Sequence, residues 1–217
     1  MTVMWETVAD EGFKFFGKMS ASLTHEIKNA LAILNENAGL LEDLTLFAGQ
    51  GRPIDPARLQ TMAVKMKHQV QRADELVKRM NRFAHSADMA VQTVNIGDAL
   101  ELIVALARRP ATLAEATLEL KSLDQPVQFT MRFFSLQHLI WLAIDYLLTG
   151  KHKEIHLTPE VTQAGVEVRV AGQFPFPETG GRTFPSVIGS ELLKVLQATL
   201  RIEPSAGELI FTFQKTG

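Results

Sequence analysis

The first half of the chain carries a helical hydrophobic pattern. Through residue 48 the apolar positions recur at spacings of three and four, which is typical of a long helix with one buried stripe. That stripe consists of Phe13, Phe16, Leu23, Ile27, Ala30, Leu34, Leu41, Leu44 and Ala48. Residues 49–53 contain two glycines and a proline, which end the pattern. Asp55 then offers a capping oxygen and Pro56 suits the first helical position, so a second helix is predicted to begin there.

The second predicted helix has an apolar track of its own. The track consists of Leu59, Met62, Met66, Val70, Ala73, Leu76 or Val77, Met80 and Phe83. The two tracks predict an antiparallel hairpin with arms of about 35 residues, each about 50 Å long. Because each stripe has only one neighbour to cover it, we expect two hairpins to pair as a homodimeric four-helix bundle. The alternative is an intramolecular bundle with a third helix, although nothing downstream matches these arms in length.

From residue 91 onward the periodic segments become short and alternate in type. Helices are predicted over residues 97–109 (ended by Pro110), 135–148 and 186–200, and strands over residues 117–123, 127–131, 154–157, 166–170 (paired with the preceding strand across a turn at Gly165) and 208–214. This alternation indicates one mixed sheet covered by helices. The predicted fold class is therefore α+β, with a long helical hairpin over residues 1–92 followed by an α/β sandwich over residues 93–217.

Composition removes several classes of function. The 217 residues include 22 Lys plus Arg and 24 Asp plus Glu, a net charge of -2, so no basic field exists to hold nucleic acid. The absence of Cys excludes disulfides, thiolate metal sites and a Cys nucleophile. The longest apolar run, residues 139–148, is about half of the roughly 20 residues that a membrane span needs. The acidic N-terminal segment lacks the basic start of a signal peptide. We therefore expect a cytoplasmic protein without membrane contact.

One histidine is predicted to face away from the core of its helix. His25 lies two positions from both Leu23 and Ile27, so at about 100° per residue it points opposite the apolar stripe. Glu26 is adjacent and Asn29 lies one turn along on the same face as His25. A carboxylate that accepts one ring proton makes the other ring nitrogen more nucleophilic, and a nearby amide can orient water or a phosphoryl oxygen. An exposed histidine needs no function, but this set suits phosphoryl transfer on and off a nitrogen.

The residues around His25 also resemble a family motif. Residues 22–31 read SLTHEIKNAL and resemble the H-box of sensor histidine kinases, usually S-x-x-H-E-[IL]-[KR]-[NT]-P-L, with Ala30 in place of the usual proline. The hairpin through about residue 84 resembles the dimerisation and histidine-phosphotransfer domain of that family. The resemblance implies that His25 accepts the phosphoryl group and that Glu26 is its acid/base partner. It also implies that Asn29 serves in dephosphorylating a partner's aspartyl phosphate.

In that family a Bergerat-type ATP-binding domain follows the hairpin, and the order of elements here fits it. MgATP binding there needs an Asn on the N-box helix, an Asp followed by Gly-x-Gly and a second glycine-rich lid. The corresponding helix reads LIWLAIDYL over residues 139–147, without Asn. Residues 171–175 read AGQFP, and residues 184–189, FPSVIG, keep one glycine. We therefore expect no ATP binding, no autophosphorylation and no cofactor or metal on this chain; the alternative is a diverged site that still binds nucleotide.

A hairpin of this kind with a degenerate ATPase-like domain resembles free-standing bacterial histidine phosphotransferases of the ChpT and sporulation-phosphotransferase type. The resemblance implies a dimeric phosphorelay protein that accepts a phosphoryl group from one response-regulator receiver domain and passes it to another, with a hybrid kinase as a further partner. Mg²⁺ is expected only in the receiver. The receiver is expected to dock near Ala21, Ser22, Lys28 and Ala32. Two alternatives stay open: a response-regulator phosphatase that uses Asn29, and a non-catalytic dimeric adaptor that binds receivers or kinases.

The remaining candidate features suggest structural positions. His152 and His156 are four apart on a predicted strand, about 13 Å, which is too far for two ligands of one metal, so both are interpreted as surface residues. His138 and Trp141 lie on an apolar helix and are predicted to be core. The loop over residues 173–185 carries three Phe among prolines and is either a partner-docking surface or a loop folded over its own core.

Overall fold

The computed structural model describes residues 2–123, 125–163, 165–176 and 183–214. Two long helices, α1 (Thr2–Gly49) and α2 (Pro56–His85), come first. They are followed by β1 (Gln92–Asn95), α3 (Ile96–Leu113), β2 (Thr117–Leu120), β3 (Gln128–Met131), α4 (Phe133–Thr149), β4 (Glu154–Val161), β5 (Gly165–Ala171), α5 (Val187–Leu196), β6 (Ala198–Glu203) and β7 (Glu208–Gln214). Long N-terminal helices followed by a mixed α/β part confirm the predicted α+β class. Within the described residues, no helix combines the length and the apolar character that crossing a membrane requires.

The chain forms two compact units. One unit contains the residues up to Met19 together with those from Phe83 onward, and the other contains Ser20–Arg82. Helices α1 and α2 therefore contribute residues to both units. We call them the α/β unit and the hairpin unit. The domain boundary that the sequence predicts after residue 92 stays a prediction.

The hairpin unit buries one heptad-spaced row of side chains on each helix. On α1 the row contains Leu23, Ala30 and Leu44, which are 2%, 0% and 9% exposed. On α2 it contains Met62 and Leu76, at 6% and 2%. Seven-residue spacing keeps each row facing the other helix along its length, so the core of the hairpin is a narrow seam.

The connection between the two helices is capped on both sides. Gly51 adopts φ +84, and its N–H donates to the Ala48 carbonyl at 2.9 Å while the Arg52 N–H donates to the Phe47 carbonyl at 3.1 Å. This is a Schellman motif, in which the left-handed position favours glycine. On the other side the Asp55 side chain accepts a hydrogen bond from the Ala57 N–H at 2.9 Å, as its predicted capping role requires.

The α/β unit is built on a five-stranded sheet with the order β2-β4-β5-β7-β6. β2 runs parallel to β4, and the other neighbours are antiparallel. The strand alternation places apolar side chains on one face: the register aligns Leu157 with Val170 and Val170 with Leu209, and all three are fully buried. The opposite face carries polar contacts such as the hydrogen bond from Thr212 to Glu167. Buried residues of α3 and α4 complete the core.

Pro159 lies inside β4 at a position that costs the sheet no hydrogen bond. β2 pairs with β4 only as far as Leu157, so the outer side of β4 is unpaired beyond that residue. Thr162 and Gly165 exchange both backbone hydrogen bonds, and pairs alternate along an antiparallel ladder. The pair of Pro159 and Val168 therefore falls at a non-hydrogen-bonded position, where the proline nitrogen faces away from β5.

The sheet prediction requires two corrections. The strands do not form one sheet, because β1, which the pattern does not predict, pairs antiparallel with β3 in a separate two-stranded sheet. β1 leads directly into α3, whose first turn is capped by the Asn95 side chain accepting from the Asp98 N–H at 3.3 Å. The predicted strand over residues 117–123 ends at Leu120, where its pairing with β4 stops.

Two helix ends also differ from prediction. Pro110 does not end α3, which continues to Leu113: a proline there removes one backbone hydrogen bond, but Ala111 is 2% exposed and its burial supports the last turn. The helix predicted over residues 186–200 ends at Leu196, because Gln197 adopts φ 51 and the following residues pair with β7 as β6. A helical spacing of apolar residues through Leu200 cannot reveal that competing strand pairing.

The apolar stripe predicted for α1 is wrong at its N-terminal end. Phe13 is 75% exposed, whereas Phe15 and Met19 are 4% and 0% exposed. This part of α1 belongs to the α/β unit, where the Phe15 ring stacks parallel to His138 with centroids 4.8 Å apart. The buried face there is set by α4, so it departs from the stripe extrapolated from the hairpin.

Candidate functional site

His25 lies in the interior of α1 and is exposed to solvent. Leu23 and Ala30, on the opposite side of the helix, are almost completely buried. The predicted exposure of His25 is therefore confirmed. α1 continues as one helix through Ala30. The usual residue at this motif position is proline, which has no backbone N–H, whereas Ala30 has one.

Glu26 faces α2 instead of lying on the exposed face with His25. Its side chain is 19% exposed, and its Oε2 lies 3.6 Å from Nη2 of Arg72. Adjacent helix positions differ by about 100°, so His25 and Glu26 point in different directions. The structure thus places Glu26 in an ion pair across the hairpin, and its role as acid/base partner stays a prediction.

The other predicted site residues form one face around His25. Asn29 and Lys28 are exposed one turn after His25, and Ala21 is exposed one turn before it. Ala32 is exposed two turns after, whereas Ser22 is half-buried. Small alanines at both ends leave the imidazole accessible to a broad partner surface. Whether these residues act in transfer or docking stays a prediction.

Arg72 is a residue that the sequence patterns do not single out. It is one of several basic residues on α2, and only the antiparallel register places it opposite Glu26. Its side chain is 46% exposed, so its charge remains accessible to solvent and to an anion that approaches α2. Counting equal distances from the connection would not have located it, because residue 26 lies 23 positions before the end of α1 and residue 72 lies 16 positions after the start of α2.

The hairpin unit exposes a second apolar row beside its buried seam. On α1 this row includes Leu31, 52% exposed, and Leu41, 38% exposed. On α2 it includes Val70 and Val77, at 55% and 44%. Val70 and Val77 are seven positions apart on α2, whereas Leu31 and Leu41 are ten positions apart on α1 and occupy two different heptad positions beside the seam. We call these exposed residues the outer rows.

In the α/β unit, the face of α4 that bears residues 134, 138, 141 and 145 is covered by α1. Besides the stacking of Phe15 on His138, Nζ of Lys18 lies 3.1 Å from Oδ1 of Asp145. The same ammonium lies 4.5 Å from the centroid of the Trp141 ring, within cation–π distance. Burial lowers the pKa of His138 to about 4, partly opposed by the nearby Glu11 carboxylate. Within the described residues, no cluster of three or more His, Asp or Glu is placed to hold a metal ion.

Of the predictions for the other histidines, that for His138 is confirmed and that for His152 is wrong. His138 and Trp141 are 3% and 4% exposed, which confirms their core assignment. His152 is 2% exposed, so the surface interpretation is wrong for this residue: its ring stacks on Phe174 with centroids 4.0 Å apart, and Nδ1 accepts from the Gln173 N–H at 3.0 Å. Burial lowers the pKa of His152. The alternating pattern of the predicted strand could not show this contact, because it is made with the loop after β5, about twenty residues further along the chain.

The phenylalanine-rich loop is described only in part, because residues 177–182 lie outside the described residues. Phe176 is 7% exposed and meets the Tyr146 ring edge-on at 5.5 Å. Phe184 lies 5.4 Å from Tyr146 and 6.1 Å from Phe211. These rings pack on the core of the α/β unit, whereas Phe174 is 41% exposed. The described rings therefore favour a loop folded over its own core.

No family model matches the chain, and no curated protein matches it. Solved structures that are similar include the Acinetobacter baumannii histidine kinase AdeS, at 14% identity and TM-score 0.46, over 89% of this chain and 98% of that one. The ATP-binding domain of PrrB from Mycobacterium tuberculosis is similar at 16% identity and TM-score 0.48, over 59% and 100%. The histidine kinase ThkA in complex with the response regulator TrrA is similar at 14% identity and TM-score 0.47, over 94% and 63%. TM-scores below 0.5 assign no role to any residue of this chain.

Proposed function

We propose that this chain is a phosphotransfer protein of two-component signalling, in which His25 accepts a phosphoryl group from a response-regulator receiver aspartate and passes it to another receiver. The observation that carries the proposal is the exposed position of His25 within an H-box-like segment, on a face flanked by Ala21 and Ala32. A receiver must bring its aspartyl phosphate into line with a ring nitrogen, and small side chains at both ends of the face allow that approach.

The proposed transfer is a displacement at phosphorus. The lone pair of the unprotonated ring nitrogen of His25 attacks the phosphorus of the aspartyl phosphate. A P–N bond forms as the P–O bond to the aspartate breaks, and the aspartate leaves as a carboxylate. The proton on the other ring nitrogen passes to water or to a carboxylate. Mg²⁺ held by the receiver neutralises the phosphoryl charge, so this chain needs no metal of its own.

Glu26 and Arg72 are proposed to support this proton balance together. Their ion pair places a carboxylate one residue from His25 on the side facing α2. There the negative charge of Glu26 can stabilise the positively charged imidazole ring that forms when His25 attacks phosphorus. Alternatively, Glu26 can accept the ring proton once its ion pair with Arg72 opens. The half-exposed guanidinium of Arg72 is the nearest described basic partner of that carboxylate and limits how far it can turn toward His25.

The outer rows support a homodimer through the hairpin. Large side chains such as Leu31 and Val70 are more than half exposed, and on α2 Val77 follows Val70 after one heptad. A contiguous apolar stripe in water is unfavourable, and pairing with a second hairpin buries it. The proposed assembly is therefore a four-helix bundle formed by two copies of the chain.

The covered face of α4 supports the proposal that the α/β unit does not bind ATP. A site for MgATP on that helix requires an open, polar face that ligates a cation. Here Trp141 is buried, Asp145 pairs with Lys18, and Phe15 stacks beside them. Equilibrium dialysis with labelled ATP and Mg²⁺ tests this directly, and saturable micromolar binding would contradict it.

A single labelling assay tests the transfer. The full chain is mixed with a radiolabelled phospho-receiver, and the label is followed on the receiver, on this protein and as free phosphate. Transfer to this protein should be lost in His25→Ala and kept in His68→Ala, a control that removes another exposed histidine of the hairpin. Label on the His25→Ala protein would refute the proposed acceptor.

The same assay distinguishes the alternatives. Release of free phosphate that survives His25→Ala but is lost in Asn29→Ala indicates a phosphatase, in which the exposed amide orients water on the receiver's aspartyl phosphate. A receiver that keeps its label but co-elutes with this protein indicates an adaptor. Either outcome replaces the phosphotransfer proposal.

A further inference from the structure

A cavity of about 380 Å³ opens in the α/β unit between the first turns of α1, the start of α4 and α5. Its walls include Gly12, Phe13 and Phe16 from α1 and Phe134 from α4. The volume lies in the range of small-molecule sites, about 300–1,000 Å³. No residue of its described lining belongs to the His25 face, and nothing below depends on phosphotransfer.

The described lining contains no charged side chain. Its polar side chains are Ser135 and His138, one turn apart on α4. His138 is neutral at physiological pH because its buried ring has a lowered pKa, so it offers a hydrogen bond without a charge. Glu11, which precedes the lining residue Gly12 in sequence, is paired with Lys14 at 2.7 Å. A charged ligand would lose its hydration without gaining a counter-charge in the described lining.

Two features of α1 leave this cavity available. Gly12 has no side chain, and a Cβ there would lie 3.5 Å from Cε1 of Phe134, an ordinary contact that a larger residue would extend into the cavity. Phe13 is 75% exposed beside the opening, which leaves a large apolar ring in water. A bound apolar molecule would cover this ring and fill space that the described side chains leave empty.

We propose that this cavity binds an uncharged aromatic or aliphatic small molecule, which stacks on Phe13, Phe16 and Phe134 and makes one hydrogen bond to Ser135 or His138. Ring stacking supplies the affinity and the pair of neutral polar groups orients the ligand. The lining selects against anions and cations alike, because it holds neither sign of charge in the described residues.

The test uses the full chain and the neutral fluorophore N-phenyl-1-naphthylamine, whose emission rises in an apolar site. Saturable binding with one molecule per chain is expected. Gly12→Leu should weaken it at least tenfold by filling the cavity. Gly17→Leu is the matched control on the same helix: no atom lies within 4 Å of a Cβ there, and both changes gain the same helix propensity. Gly17→Leu should bind as the unchanged protein does.

A second variant and a second probe keep the test independent of folding. Phe13→Ala removes an exposed ring, so the fold is retained while binding should weaken several-fold. The anionic analogue 1-anilinonaphthalene-8-sulfonate should bind at least tenfold more weakly than the neutral probe. Equal affinity of Gly12→Leu and the unchanged chain, non-saturable binding, or equal affinity for both probes overturns the proposal.

Discussion

The buried imidazole of His138 should make the stability of the α/β unit depend on pH. Burial lowers its pKa from 6.5 to about 4, although Glu11 opposes the shift. The unfolded chain therefore binds a proton that the folded chain excludes, and stability falls as pH drops below about 6.5 toward 4. Two and a half pKa units correspond to about 3 kcal/mol in total, of which about 2 kcal/mol is lost between about pH 7 and pH 5.

His138→Phe isolates this contribution. Phe retains the parallel stacking on Phe15, at 4.8 Å between centroids, but cannot bind a proton. Urea unfolding of the variant should show about 2 kcal/mol less loss of unfolding free energy between about pH 7 and pH 5 than the unchanged protein. His152, whose pKa is also lowered by burial, keeps part of the slope in both. His68→Gln removes an exposed imidazole and should keep the full slope. An unchanged slope in His138→Phe would refute the reasoning.

Three further predictions concern other parts of the chain. Gly172→Ala should destabilise the protein by about 1–3 kcal/mol in thermal or urea unfolding, because its Cβ would lie 2.3 Å from Nδ1 of the buried His152. The control Gly17→Ala has open space around its Cβ and should stabilise α1 by up to about 1 kcal/mol. Equal effects of the two substitutions would contradict the contact with His152. Leu31→Glu should convert the proposed dimer to a monomer in sedimentation equilibrium with helicity retained, and a stable dimer would exclude the outer rows as its interface. Arg72→Gln should change the free energy of unfolding by less than about 1 kcal/mol, since the Arg72 side chain is 46% exposed and lies 3.6 Å from Glu26, but it should shift the pH profile of phosphotransfer. An unaltered profile would leave this pair without a role in proton balance.

The hairpin could be predicted because heptad spacing is a local property of one helix. The spacing put Leu23 in the seam, left Leu76 and Val77 as alternatives, and placed His25 outside the seam, since side-chain direction follows from about 100° per residue. The same reasoning failed at Phe13 and Phe15, where α1 packs on α4. A stripe extrapolated along one helix assumes one partner, and α1 has different partners in the two units.

The α/β unit was less predictable because its contacts join residues far apart in sequence. The end of α5 depends on whether Leu200 pairs with Phe211 in the sheet, which no local spacing can show. His152 is buried because Phe174, more than twenty positions away, stacks on it. Arg72 belongs beside the candidate site for the same reason: its pair with Glu26 is set by the register of two antiparallel helices.

Pro159 has a consequence for the behaviour of the protein at high concentration. An open strand edge presents unpaired N–H and C=O groups, which another chain can recruit into an intermolecular sheet. At this edge the proline supplies no donor, so a second strand cannot continue the ladder past Leu157. The residue thus removes one of the donors through which a second chain could extend the sheet, and its buried side chain lies beside Leu120 and Lys121.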